Sequence, residues 1–150
     1  MATDFRLATL LKLREQTRVE RRRELAQAFE AERILRDRAA QLQADIEATQ
    51  QRTRDAARGN VNVESLLNAR RYELSVKGQL AEANQQIAQV LAEIERRRQA
   101  LLEADRDVKV LEKLRDLQSE QHAALERKRE NRQLDEAALR GFARRQEVTR

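Results

Sequence analysis

Between Leu66 and Leu111 apolar residues recur at alternating steps of three and four. The positions are Leu66, Ala69, Glu73, Val76, Leu80, Ala83, Ile87, Val90, Ile94, Arg97, Leu101, Ala104, Val108 and Leu111. Twelve of the fourteen are apolar, Glu73 and Arg97 being the exceptions. A mean spacing of 3.5 residues held over this length is the mark of an α-helix with a coiled-coil seam. In a strand, whose side chains alternate between faces, the same residues would scatter to both sides. The whole chain lacks proline, so nothing of that kind interrupts the helix.

Residues 7–46 repeat the pattern more weakly, through Leu7, Leu11, Arg14, Arg18, Arg21, Leu25, Ala28, Glu32, Leu35, Ala39, Leu42 and Ile46. An isolated helix would leave such a seam in water, so the two seams are expected to cover each other. Between them lies the strongest local break, Arg58-Gly59-Asn60-Val61-Asn62. Glycine accepts a left-handed backbone at a helix end, and asparagine caps a helix start. Folding back at Val61 levels residues whose numbers total 122. Ala28 then meets Ile94, Leu35 meets Ile87, Ala39 meets Ala83, Leu42 meets Leu80 and Ile46 meets Val76, while Arg97 falls beside Leu25.

The expected fold is all-α: one antiparallel coiled-coil hairpin over residues 1–150, with helix 1 at about 4–57, a loop at about 58–62 and helix 2 at about 63–145. At 1.5 Å per residue the helices would be about 80 and about 120 Å long. Residue 5 would lie level with about residue 117, so helix 2 overhangs at its C-terminal end. Arg14, Arg18 and Arg21 face Val108, Ala104 and Leu101 in this alignment, which predicts packing tightest near the loop and loosest at the open end. Gly78 is read as internal to helix 2, and Gly141 as a place where the helix frays or stops.

Composition supports the hairpin and excludes a compact enzyme. Aromatic residues make up 3% of the chain and charged residues 38%, and alanine dominates the apolar class, so large core-forming side chains are scarce. There is no cysteine, hence no disulfide, thiolate metal site or cysteine nucleophile. The single histidine, His122, lacks a second ligand, and no phosphate loop, GxSxG or HExxH occurs. Neither a catalytic residue, a cofactor nor a metal is expected. The opening Met-Ala-Thr-Asp-Phe-Arg does not resemble a secretion signal, and no apolar run approaches the roughly 20 residues of a membrane span. A cytoplasmic protein without direct membrane insertion is expected.

The net charge of +5 is spread along the chain. Residues 1–58 hold 13 basic and 10 acidic side chains, 59–110 hold 8 and 8, and 111–150 hold 10 and 8. Such mixing is the pattern of a solvated helix face. With one tyrosine and three phenylalanines there is no base-stacking platform, and nucleic acid is not an expected partner. The triplets Arg21-Arg22-Arg23 and Arg96-Arg97-Arg98 come near each other in the expected alignment. Two readings stand: neutralisation by Glu20, Glu24, Glu93 and Glu95, or a cationic collar for an acidic partner.

Several short elements, in their order and spacing, resemble the FliJ family of flagellar type III export proteins. They are Phe5-Arg6-Leu7, Leu10-Leu11-Lys12-Leu13-Arg14, Tyr72 early in helix 2, Leu111-Glu112-Lys113-Leu114-Arg115 and Leu134-Asp135-Glu136-Ala137-Ala138. The resemblance spans nearly the full chain. It implies a non-enzymatic two-helix coiled coil, similar to the central stalk subunit of rotary ATP synthases. Such a protein enters the export ATPase ring and promotes its activity, contacts the export gate membrane protein and escorts export chaperones. It would sit at the inner face of the cell membrane through those partners, in flagellum biogenesis and motility.

On this resemblance the expected ATPase contacts are Leu117, Leu125, Arg127, Lys128, Arg129, Leu134, Leu139 and Phe142. The expected gate contacts are Leu42, Tyr72 and Val76. Family members often carry tyrosines on helix 1 where this chain has Asp45 and Thr49, a departure on the helix 1 side of the gate site. A monomer is expected. The alternative reading is an unrelated coiled-coil adaptor or structural spacer, and an RNA-binding arm comes third.

Overall fold

The computed structural model describes residues 6–148, which form two α-helices and no strand. Helix α1 is Ala8–Ala56 and α2 is Val63–Val148, 49 and 86 residues long. Arg6 and Leu7 make a turn before α1, whereas Phe5 and the helix start expected near residue 4 lie outside the described residues. Strong helix formers fill both elements, and exposed pairs three or four residues apart support them. Arg33, for example, bonds Glu30 at 2.6 Å and Asp37 at 3.0 Å.

The connection is built by the residues that break the helical pattern. The amides of Ala57 and Arg58 close the last turn on the carbonyls of Thr53 and Asp55, at 3.0 and 3.1 Å. Gly59 follows with φ +94°, a left-handed conformation that side chains resist. Asn62 then caps α2, its Oδ1 accepting hydrogen bonds from the amides of Glu64 and Ser65 at 3.1 and 3.4 Å. Neither Gly78 nor Gly141 interrupts α2. The stop or fraying expected at Gly141 is absent, because a single glycine costs a helix only about 1 kcal/mol and flanking residues outweigh it.

The chain divides into two compact units, one of Arg18–Glu103 and one of Met1–Thr17 with Ala104–Arg150. The first contains the loop and the two antiparallel arms leading from it. Its core is Ala28 and Ile46 of α1 against Val76, Ala83 and Ile94 of α2, with Thr49 and Glu73 buried among them. Gln50 meets Glu73, and Arg97 meets the carbonyl of Glu24. These pairs total 123 and 121, within one residue of the alignment expected from folding at Val61.

In the second unit Arg14 of α1 reaches Asp107 of α2 at 3.3 Å, again an antiparallel pairing. Leu11, Val108 and Leu111 form its core, and Val108 is the largest fully buried side chain described. The loose packing expected at this end is therefore not found. Arg14 sends its head to the flanking Asp107 and stays exposed, so it does not hold Val108 open to water. All fourteen α2 seam positions from Leu66 to Leu111 are buried or half-buried. On α1 the spacing is less faithful: Leu7, Arg14 and Arg21 are exposed.

Candidate partner-docking surfaces

The two groups of expected contact residues lie in different units and differ in kind. In the unit holding the termini, α2 carries Leu114 and Leu117 beside the start of α1. Arg6, Leu7, Leu114, Leu117, Gln118 and Gln121 line an open, largely apolar groove of about 470 Å³ there. Leu117 thus belongs to the two-helix part of this unit and not to an overhang. Further along, every described residue from Arg127 to Gln146 is exposed. Leu134, Leu139 and Phe142 are 67, 69 and 64% exposed, and Leu125 is also exposed.

Leu125 and Leu139 fall on the continued three-four spacing. Its other positions between Leu111 and Leu139, namely Arg115, Gln118, His122, Arg129, Arg132 and Glu136, are polar, and Leu117, Leu134 and Phe142 lie off it, so no apolar seam continues. Leu139 and Phe142, three residues apart, share a face. Leu125 stands about 80° round the helix from Leu117, eight residues earlier, and Leu134 about 140° from Leu139. The stretch offers separate apolar anchors with charge between them. Arg127, Lys128 and Arg129 fan around the helix, and Arg129 pairs with Glu126 at 3.2 Å. His122 lies one turn from Glu126, at 3.9 Å.

Among the three expected gate residues, only Tyr72 presents substantial surface. Val76 is buried in the seam, Leu42 is half-buried there, and Tyr72 is 50% exposed. The Tyr72 hydroxyl donates to Oδ2 of Asp45 at 2.5 Å, crossing from α2 to α1. That bond pushes the phenol above its ordinary value, because a neighbouring carboxylate accepts from the neutral form and repels the phenolate. Beside it lies a groove of about 350 Å³ whose lining includes Tyr72, Thr49, Thr53, Leu66 and Asn68. Asp45 and Thr49, the points of departure on α1, are therefore one polar partner for Tyr72 and one buried seam residue.

Neither Asp45–Tyr72 nor Gln50–Glu73 was legible in the seam spacing. Asp45 and Tyr72 are offset along the hairpin and meet only through long side chains, and Gln50 sits one residue beyond the seam. The weak signal for the second was Glu73 itself, a carboxylate at an apolar position.

The arginine triplets are largely answered locally. Arg21 pairs with Glu24 at 2.9 Å, Arg96 and Arg97 both pair with Glu93, the latter at 2.8 Å, and Arg98 lies 3.9 Å from Glu95. Arg98 also stands over the Phe29 ring, 5.4 Å from its centre. Short-range pairing, not a free cationic collar, describes most of this region.

Among the described residues no cluster of histidine, cysteine, aspartate and glutamate could hold a metal ion. Nor is any helix among them long and apolar enough to cross a membrane. No curated protein and no solved structure matches the chain. Residues 3–147 match the flagellar FliJ protein family, 145 of the 150 residues. With a match of that extent, over two antiparallel helices of unequal length, the chain belongs to the FliJ family of flagellar proteins.

Proposed function

We propose that this component of flagellar protein export is a non-enzymatic stalk for the export ATPase. The C-terminal part of α2 enters the ATPase ring, with Leu117, Leu125, Leu134, Leu139 and Phe142 as apolar anchors and Arg127, Lys128 and Arg129 as charged ones. The loop-side surface around Leu42, Tyr72 and Val76 faces the export gate membrane protein, and the chain escorts export chaperones. Through these partners a monomer is held at the inner face of the cell membrane.

One observation carries the reading: Leu134, Leu139 and Phe142 are each about two-thirds exposed, on a stretch of α2 that the described part of α1 does not cover. Leu139 and Phe142, which share a face, form the apolar patch that a partner would cover, and Leu134 stands apart from it. For the loop-side surface, Tyr72 is the residue best placed to reach a partner, since Leu42 and Val76 are already engaged in the seam.

The test is ATP turnover by a matching export ATPase, with and without the full-length protein. Stimulation is expected. It should be lost in a Leu139→Asp, Phe142→Asp double variant whose helicity and melting are unchanged. If the intact chain leaves turnover unaltered, the stalk reading fails and a structural spacer takes its place.

A further inference from the structure

The apolar seams alone do not choose one alignment of the two arms in the Arg18–Glu103 unit. In the observed alignment Ala39 is level with Ala83 and Leu35 with Ile87. Sliding one arm by a heptad would set Ala39 against Val90, Leu35 against Ile94 and Glu32 against Arg97. That arrangement is still apolar on apolar, with an ion pair added. The structure must therefore contain something that selects between them.

Glu73 is 3% exposed in the seam and holds its charge through three partners. Lys77 Nζ lies 2.7 Å away and Arg70 Nη1 3.5 Å away, but both are on α2 and would travel with Glu73 in any slide. The cross-helix bond is from Gln50 Nε2 to Glu73 Oε1, at 2.8 Å. It exists only in the observed alignment. A heptad slide one way brings Glu73 level with Ala56, and the other way level with Leu42 while Arg97 comes level with Arg18. Gln50 lies one residue past the level position, so its place falls to Ala57 in the first slide, which has no side-chain donor. In the second its place falls to Gln43, and there the meeting of Arg97 with Arg18 is the obstacle.

The other polar seam residue does not discriminate in the same manner. Arg97 bonds Glu93 on its own helix, and its cross-helix partner is a backbone carbonyl, which every residue of α1 possesses. We propose that Glu73, through Gln50, is the register-determining residue of the hairpin. A single polar residue at a seam position is known to specify register at a cost in stability. Here it also sets which surface residues of the two arms stand together, Tyr72 beside Asp45 among them.

The chain contains no cysteine, so pairs can be introduced into the full-length protein without background. Ala39→Cys with Ala83→Cys reports the observed register, and Ala39→Cys with Val90→Cys the slid one. Each is closed by a short thiol-reactive cross-linker in dilute solution. With Glu73 present, the 39–83 pair should close and the 39–90 pair should not. In Glu73→Leu the 39–90 yield should rise severalfold, to a level comparable with 39–83, while helicity is kept. Glu73→Gln, which can still accept from Gln50, should restore the parent pattern. If Glu73→Leu closes 39–83 alone, as efficiently as the parent, the Gly59–Asn62 loop sets the register and the proposal is overturned.

Discussion

Tyr72 of α2 and Asp45 of α1 are joined by a hydrogen bond of 2.5 Å, with the phenol donating and the carboxylate accepting. The bond links the two arms through the flank of the hairpin, outside the seam. Tyr72 is the only tyrosine and there is no tryptophan, so phenolate absorbance reads this one residue. Its titration midpoint should lie above the ordinary value of 10.0. Because the folded value is raised, the stabilisation is complete below pH 10 and is lost as pH rises through the raised value. Asp45→Ala should bring the midpoint back toward 10; an unshifted parent midpoint would mean that the bond does not persist in solution.

Thr49 is buried level with Glu73, and among the described residues its Oγ1 has no hydrogen-bond partner. Leaving a buried hydroxyl unsatisfied costs about 1–3 kcal/mol. Valine has nearly the same shape without the hydroxyl. Thr49→Val should therefore raise stability by about 1 kcal/mol, seen as a higher melting temperature. A lower one would show that the hydroxyl finds a partner, such as an ordered water.

Val108 is the fully buried centre of the Leu11–Val108–Leu111 cluster. Truncation to alanine there removes two packed methyl groups and should cost about 2 kcal/mol. Replacement of the exposed Leu139 by alanine should change stability by less than about 0.5 kcal/mol. Denaturant unfolding of the two variants side by side gives the comparison. Equal losses would mean that Leu139 is covered in solution.

Acid should weaken the hairpin through specific carboxylates. Hydrogen bonds hold Glu73 below its ordinary value of 4.5, first from Gln50 and then from Lys77, and Glu93 is held low chiefly by its bond from Arg97. A carboxylate lowered in the folded state contributes fully above its unfolded value, and the contribution disappears as pH falls through the folded one. The melting temperature should accordingly hold from neutral pH to about 5 and drop below about 4.5. In Glu73→Leu the drop should be shallower. An unchanged acid slope would place the sensitive groups elsewhere.

The helices, the α2 seam and the loop are written locally. Heptad spacing in one stretch of chain shows which face of that stretch is apolar, and Gly59 and Asn62 mark a break because their own backbone and side-chain preferences favour it. Even the alignment was close to legible, since both seams and the loop agree on folding near Val61. The full burial of Val108 was not, because it depends on Arg14 turning aside to Asp107 on the other helix. The Tyr72–Asp45 bond, the Gln50–Glu73 bond and the unpartnered Thr49 hydroxyl likewise arise only when residues more than twenty positions apart come level. The candidate docking residues are placed along the chain by the family resemblance alone. The seam spacing already sets Leu42 and Val76 between the helices; only the folded pair of helices shows that Tyr72, Leu139 and Phe142 keep open surfaces. Exposure depends on what the neighbouring helix covers, and neither helix encodes that alone.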